Sequence, residues 1–172
     1  MIRVGVLTVS DLSARGERPD VGGPAVARAV VESLAGAEVV ARDIVLDDQP
    51  AIAAWLARGA DDLQLDLILT TGGTGFAPRD VTPEATASVV DRAAPGLAEA
   101  MRGASLHITP HAMLSRAVAG IRGRTLIVNL PGSPKAAVEN LAVIAPVLPH
   151  AIELLRESPD AERHHAMPAA AA

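Results

Sequence analysis

The chain has 172 residues, a formal net charge of −5 and no cysteine, which suits one domain with a sizeable core and excludes disulfides, thiol nucleophiles and Cys-ligated metal sites. With one Phe, one Trp and no Tyr on an acidic chain, the basic footprint and the aromatic platform of a nucleic-acid-binding protein are both missing. The sequence has neither an apolar run near the roughly 20 residues of a transmembrane helix nor a signal-peptide pattern, so we expect a cytoplasmic protein without nucleic-acid or membrane partners.

Strand and helix patterns alternate along the chain. Runs of β-branched and large aliphatic residues predict four strands, which in chain order are Ile2–Val9, Glu38–Leu46, Leu65–Leu69 and Thr125–Leu130. Apolar residues at helical spacing predict helices that begin at Pro24, Pro50, Thr82, Pro95 and Pro134, with a further short helix over Met113–Gly120. This alternation predicts a single α/β domain, a three-layer α/β/α sandwich around a mostly parallel sheet.

Polar residues follow each predicted strand at its carboxyl end, where open parallel sheets bind their ligands. They are Ser10-Asp11, Asp47-Asp48, the glycine-rich stretch after Thr71, and Gly132-Ser133. Within the acidic pair either register is compatible with the sequence. Asp48 is better placed to cap the helix that begins at Pro50, which leaves Asp47 free for chemistry. The convergence of these groups predicts one site at this edge of the sheet.

The stretch Thr70–Thr86 reads TTGGTGFAPRDVTPEAT and predicts a strand, a glycine-rich loop and a helix. Glycine lets a backbone approach a ligand closely and a helix start favours an anion, so the loop predicts a phosphate site. It is not a P-loop, because no lysine follows Gly75, and it is not a dinucleotide fingerprint, because the third glycine position is Pro78. Asp80 adds a carboxylate suited to Mg²⁺ beside bound phosphates. The alternative is an ordinary turn with Thr82 as the helix cap, which leaves the glycines unexplained.

The last motif and the C-terminal segment each predict one further feature. Ser133 can cap the helix that begins at Pro134. Lys135 is the only lysine among 15 basic residues, and it is either a point charge for a phosphate or a chance residue on a solvated helix. From residue 158 the chain is polar and then poor in large side chains, so we expect a domain at 1–157 and a mobile tail at 158–172.

Three motifs together resemble the molybdopterin adenylyltransferase family of molybdenum cofactor biosynthesis, namely Thr71–Gly75, Arg79–Glu84 and Leu130–Lys135. The resemblance runs from about Arg3 to about Leu155 and implies a compact three-layer α/β domain that assembles as a homotrimer. It implies a nucleotidyltransferase that moves AMP from Mg-ATP to the terminal phosphate of molybdopterin, releases pyrophosphate and contacts a molybdotransferase transiently. The alternative is a non-catalytic molybdopterin-binding or carrier subunit of the same pathway, which would keep the glycine cradle without needing metal carboxylates.

The resemblance also implies roles for individual residues. Asp80 would bind Mg²⁺ and Asp47 would be the second acidic residue at the reacting phosphates, so both are candidate catalytic residues. The candidate substrate-binding residues are Ser10, Asp11, Gly72, Gly73, Thr74, Gly75, Arg79, Thr82, Pro131, Gly132, Ser133 and Lys135. Among these, the residues from 72 to 75 would cradle phosphate with backbone donors. A related bacterial branch lacks the Arg-Asp-x-Thr-Pro pattern, which is intact here at 79–83.

Overall fold

The computed structural model describes residues 1–157, and the segment 158–172, predicted to be a mobile tail, lies outside the described residues. In chain order the elements are β1 (Ile2–Val9), α1 (Asp11–Ala14), α2 (Gly22–Ser33), β2 (Ala37–Val45), α3 (Gln49–Asp61), β3 (Leu67–Thr71), α4 (Thr82–Val89), β4 (Arg92–Ala93), α5 (Pro95–Leu106), a 3₁₀ helix (Pro110–Leu114), β5 (Ala119–Arg122), β6 (Thr125–Leu130), α6 (Pro134–Ile144) and α7 (Leu148–Leu155).

The strands form one sheet with the order β2-β1-β3-β6-β5-β4. The strands β2, β1, β3 and β6 are parallel, whereas β5 pairs antiparallel with both β6 and β4. Every residue of β3 and β6 is buried, which fits their unbroken runs of large and β-branched side chains. Helices pack on both faces of the sheet, so the predicted three-layer α/β/α fold is confirmed.

Side chains of the central strands point alternately to the two faces of the sheet, so they contribute to two separate hydrophobic cores. Val4 and Val6 of β1 pack into the larger core with α2, α5, α6 and α7. Leu7 and Val9 of the same strand pack on the other face with α3 and α4. Trp55 of α3 lies in this smaller core, and its indole N–H donates to Asp43 at 3.1 Å. The packed faces fix the carboxyl ends of the strands, where the polar loops begin.

The boundaries of several elements differ from the sequence prediction, and one segment that was predicted to be a helix has a different structure. The predicted helix over Met113–Gly120 is wrong, because a 3₁₀ turn ends at Leu114 and β5 then begins at Ala119. This segment forms a strand instead of a helix because it can pair with the free edge of β6. Asn129 of β6 hydrogen-bonds to the backbone of Val118 there. The third strand is shifted to 67–71, so it runs two residues closer to the glycines than predicted.

Among the described helices, none is by itself long and apolar enough to cross a membrane. The consecutive helices α6 and α7 pass the same test only when taken together, by length and composition, and they are bent by 65° with respect to each other.

Candidate active site

The crevice for a ligand lies between the neighbouring strands β1 and β3. The chain leaves β1 towards the face covered by α2 and leaves β3 towards the face covered by α4. Such a topological switch point is where open α/β sheets form their binding crevice. A cavity of about 560 Å³ lies there. The predicted site residues that line it are Ser10, Asp11, Asp47, Gly72, Gly73, Arg79, Asp80 and Gly132.

Two carboxylates from different strand ends hold each other in this cavity. The amide of Asp11 donates to Oδ2 of Asp47 at 2.9 Å, and the amide of Asp47 donates to Oδ1 of Asp11 at 3.1 Å. This reciprocal pair joins the end of β1 to the end of β2. The adjacent Asp48 turns away, and its Oδ2 accepts from the amide of Ala51 at 3.0 Å as the cap of α3. The two acidic neighbours therefore take the separate places that the sequence predicted.

Asp47 lies in an electrostatically unfavourable position for a negative charge. Burial raises its pKa above the ordinary value, and the negative charges of Asp11 and Asp80 raise it further. The hydrogen bond from the amide of Asp11 and the positive charge of Arg79 lower it without cancelling the rise. A cation bound beside Asp47 would relieve this repulsion.

The glycine loop, defined here as residues 72–75, begins with two residues whose backbone only glycine adopts without strain. Gly72 has a φ of +105° and Gly73 a φ of +63°. A Cβ on Gly72 would lie 2.2 Å from the carbonyl oxygen of Val9, so the loop touches the end of β1. A Cβ on Gly73 would lie 2.4 Å from Oγ1 of Thr82. Strand and helix thus enclose the loop so closely that no side chain fits on that side.

The carbonyl and amide groups of the glycine loop have different surroundings. Oγ1 and the amide of Thr82 donate to the first two loop carbonyls at 2.9 and 3.1 Å. The amide and Nε of Arg116 donate to the next two, at 2.9 and 2.7 Å. Within residues 1–157, the amides of residues 73–75 make no hydrogen bond. Their N–H groups are therefore available to an anion, which is the arrangement of a phosphate-binding loop.

A carboxylate stands at each end of this row of amides. A Cβ on Gly73 would lie 3.2 Å from Oδ1 of Asp47, and one on Gly75 would lie 2.9 Å from Oδ2 of Asp80. The same Oδ2 of Asp80 accepts from the amide of Ala77 at 2.9 Å, which fixes the side chain against the loop. Exposed Arg79 adds a positive charge at the cavity. The arrangement combines donors for a phosphate with oxygen ligands for a hard cation.

A second cavity, of about 420 Å³, lies on the other side of the glycine loop. It shares Gly73, Asp80 and Gly132 with the first cavity, and its wall is more apolar, with Ile108 and Leu114 on it. The predicted site residues that line only this second cavity are Thr74, Gly75 and Pro131. The loop and Asp80 therefore stand where two binding spaces meet.

A family model described as "Probable molybdopterin binding domain" matches residues 5–150. The chain belongs to this family. The match includes both cavities, because their lining runs from Thr8 to Asn140. All residues that line the two cavities therefore lie within the part of the chain that matches the family.

Individual members of the family are similar over most of their length. The molybdopterin adenylyltransferase of Helicobacter pylori (strain J99) is 42% identical over 154 residues, which are 90% of this chain and 88% of that protein. The protein of the same name from Escherichia coli (strain K12) is 43% identical over 140 residues, 81% of this chain and 72% of that protein. The structure of the molybdopterin biosynthesis enzyme MoaB from Thermus thermophilus superimposes with a TM-score of 0.86 at 55% identity, covering 92% of this chain and 99% of that one.

Three predicted substrate-binding residues of this molybdopterin-binding domain do not line either cavity. Thr82 is buried as the first residue of α4 and holds the glycine loop instead of capping the helix, whose cap position is Val81. Ser133 caps α6 as predicted, since its Oγ accepts from the amide of Ala136. Lys135 has a side chain that is 82% exposed and pairs with Glu139 at 3.7 Å.

The sequence analysis gave no role to two residues at the site, Asp20 and Arg116. Asp20 lines the first cavity and is held by Oγ1 of Thr8 and by the amide of Gly23, both at 3.0 Å. Its position before the Gly22-Gly23 pair, where a helix begins, was the signal available in the sequence. Arg116 reaches the glycine loop from a segment 41 residues further along the chain. No local pattern marks so distant a contact.

Proposed function

We propose that this protein is a molybdopterin adenylyltransferase of molybdenum cofactor biosynthesis, which transfers AMP from ATP to the terminal phosphate of molybdopterin and releases pyrophosphate. Two relatives that carry this enzyme's name are 42% and 43% identical to the chain. The observation that carries the proposal is the row of amides at residues 73–75, which have no hydrogen-bond partner within residues 1–157 and lie between the carboxylates of Asp47 and Asp80. A phosphate chain and its metal ion require these two kinds of group side by side.

The reaction requires positioning more than covalent chemistry by the protein. An oxygen of the terminal phosphate of molybdopterin attacks the α-phosphorus of ATP, and a new P–O bond forms. The bond from that phosphorus to the oxygen bridging to the β-phosphate breaks, and pyrophosphate leaves with the electron pair. Such transfers are accelerated mainly by in-line alignment and by neutralisation of charge. Backbone amides of the glycine loop supply part of that neutralisation.

The carboxylates fit a magnesium ion that is shared with the substrate. Mg²⁺ is bound in such sites by one or two carboxylates together with substrate phosphates, and not by a complete protein cage. Within residues 1–157 there is no group of three or more His, Cys, Asp or Glu side chains placed to hold a metal. Asp80 would hold the ion, and the positive charge of the ion would offset the burial and the neighbouring negative charges that raise the pKa of Asp47. When bound, Mg²⁺ would neutralise charge on the reacting phosphates.

The two cavities suit a reaction between two large substrates. The first, of about 560 Å³, has polar walls that include Ser10, Arg15 and Arg18. Nη2 of Arg18 donates to Oγ of Ser10 at 3.2 Å across it. The second, of about 420 Å³, is more apolar. With one substrate in each, their phosphates would meet at the glycine loop and Asp80, which line both cavities.

We also propose that the chain assembles as a homotrimer. Ile108, Met113 and Leu114 are 65, 64 and 44% exposed in one short segment after α5, and Ile108 and Leu114 also line the second cavity, so a subunit contact here would adjoin that cavity. Clustered apolar side chains on a surface mark a contact with another molecule. Light scattering coupled to gel filtration should give three times the chain mass of 17.6 kDa. A transient contact with a molybdotransferase and a cytoplasmic location stay predictions of the resemblance.

Product analysis tests the proposed activity. The protein is incubated with Mg-ATP and molybdopterin, and adenylylated molybdopterin is measured by mass spectrometry beside released pyrophosphate. We expect the two products in equal amounts, and neither when molybdopterin is left out. If molybdopterin binds, as measured by calorimetry, but is recovered unchanged, the carrier function is correct and the enzyme assignment is wrong.

A further inference from the structure

Arg116 makes an unusual set of contacts, all directed at backbone carbonyls or at one carboxylate. Its amide donates to the carbonyl of Thr74 at 2.9 Å and its Nε donates to that of Gly75 at 2.7 Å. Its Nη2 donates to the carbonyl of Asp80, and its Nη1 pairs with Glu84. One residue thus bonds both the glycine loop and the chain just beyond it, up to the start of α4.

These contacts determine which side of the loop backbone faces the substrate space. Each peptide unit carries a carbonyl and an amide on opposite sides, so binding the carbonyls outward turns the amides the other way. The carbonyls of Thr74 and Gly75 belong to the same peptide units as the amides of Gly75 and Phe76, so Arg116 orients these two amides, and the amide of Gly75 has no partner in the described chain. Thr82 orients the amides of residues 73 and 74 in the same way, through the two preceding carbonyls. The contact to the carbonyl of Asp80 holds the backbone of that residue as well.

Arg116 is itself fixed by neighbouring residues, of which Arg102 lines the second cavity. Arg102 donates to the carbonyls of Ser115 and Ala117, both at 3.1 Å, and so holds the residues on either side of Arg116. Glu84 lies in the first turn of α4 and accepts from both terminal nitrogens of Arg116. Arg116 lines neither cavity. It is therefore placed to act on the loop and not directly on a substrate in either cavity.

We propose that Arg116 is a positioning residue of the active site, which holds the second half of the glycine loop with the amide of Gly75 towards the phosphates and keeps Asp80 in register with it. The inference rests on the proposed function and names the device that preorganises its phosphate site. Preorganised donors act without rearrangement during the reaction, and a displacement of about 1 Å costs on the order of 100-fold in rate.

The geometry requires arginine and not only a positive charge. The guanidinium is a planar fork that reaches two carbonyls and a carboxylate at once, whereas the lysine ammonium is a single point on a flexible stem. Arg116→Lys should therefore keep the ion pair with Glu84 but lose at least one of the two side-chain bonds to carbonyls. We expect it to behave as an intermediate between the native protein and Arg116→Gln.

Binding of inorganic pyrophosphate with Mg²⁺ tests the inference without turnover. We compare native protein with Arg116→Gln, Arg116→Lys and the matched control Arg122→Gln by calorimetry. Like Arg116, Arg122 binds both a carboxylate, that of Asp61, and a backbone carbonyl, that of Val89. Unlike Arg116, it makes no contact with the glycine loop, and it lines neither cavity. Arg116→Gln should weaken pyrophosphate binding at least about tenfold and lower kcat by a further factor of about ten, with Arg116→Lys between. Arg122→Gln should change neither.

Each outcome decides the positioning role of Arg116, the proposed function, or both. Equal losses of thermal stability in both Gln variants, with native pyrophosphate affinity and kcat in folded Arg116→Gln, would overturn the positioning role. If Arg116→Gln does not fold, Arg116→Lys and Glu84→Gln carry the test, since both keep a hydrogen-bonded partner at the position. If native protein binds pyrophosphate but makes no adenylylated product, the proposed function fails while the affinity comparison still decides the role of Arg116. No pyrophosphate binding by native protein would overturn both.

Discussion

At the scale of single residues, the chain places a structural carboxylate next to one that lines the candidate site. Asp48 has extended backbone angles and accepts from the amide of Ala51, so its oxygen satisfies a helix N–H that has no other partner. Asp47 points into the cavity and accepts from Asp11 at the end of another strand. The first side chain contributes to stability, and the second is placed where its charge is costly.

Replacing these neighbours should therefore have opposite effects. Asp48→Ala removes the cap of α3 and should lower the free energy of unfolding by about 1 kcal/mol with little change in turnover. Asp47→Asn keeps the acceptor for Asp11 and should abolish most turnover without lowering stability. Urea unfolding followed by circular dichroism, together with the turnover assay on the same samples, checks both. A large loss of stability in Asp47→Asn would contradict the division of roles.

Because the pKa of Asp47 is raised, the difference in stability between Asp47→Asn and the native protein should depend on pH. Because the folded pKa lies above the unfolded value, the native state favours the protonated acid. That contribution to stability is complete below the ordinary value of 3.8 and is lost as the pH rises through the folded pKa. Asp47→Asn should thus be at least as stable as the native protein at pH 7, and this advantage should disappear as the pH falls below about 3.8. Thermal unfolding at several pH values measures it.

At the scale of elements, the glycine loop depends on close contact between the ends of β1 and β3. Only Gly72 and Gly73 combine a positive φ with a clash that any Cβ would make with another element of the site. The sequence predicted this loop well, because strand, glycines and helix are all local signals. It could not predict β5, whose pairing with β6 depends on a sheet edge formed elsewhere, nor the reach of Arg116 to the loop.

Gly72→Ala tests whether glycine is required at this position by the close contact with β1 or only by the positive φ. At Gly72 the new Cβ would meet a backbone oxygen at 2.2 Å, whereas at Gly123, with a φ of +54°, nothing lies within 4 Å. Gly123→Ala should cost only the left-handed strain of about 1 kcal/mol. Gly72→Ala adds the clash and should cost about 3 kcal/mol or more. Equal losses in a urea titration would mean that the loop moves freely away from β1.

At the scale of the whole molecule, one ionic cluster joins the two ends of the described chain. Arg156 donates to both oxygens of Asp66 at 2.7 Å, and the amide of Arg3 donates to the same carboxylate at 2.7 Å. The cluster links α7 to the start of β1 and to the entry of β3. Burial raises the pKa of Asp66, but the hydrogen bonds from Arg156 and Arg3 outweigh it, and the net pKa is lowered.

The lowered pKa predicts how acid weakens the fold. The contribution of Asp66 to stability is present above the unfolded value of 3.8 and is lost as the pH falls through the folded pKa. Asp66→Asn should lower the free energy of unfolding by about 1–2 kcal/mol at pH 7, since one partner is partly exposed to solvent. The difference from native protein should shrink below about pH 3.8. A difference that stays constant down to about pH 2.5 would show that packing, and not charge, is responsible.

The initial rate of pyrophosphate release from Mg-ATP, with and without molybdopterin, tests the central claim most directly. It is measured for native protein, Asp80→Asn and Asp47→Asn, with Asp48→Asn as the control that loses a charge but keeps a capping side chain. We predict release that requires molybdopterin, falls by about 100-fold or more in the first two variants and stays near native in the control, because the first two lose charge stabilisation of the reacting phosphates. Native rates in Asp80→Asn and Asp47→Asn, or no release when molybdopterin is bound, would contradict the proposed adenylyl transfer at this site.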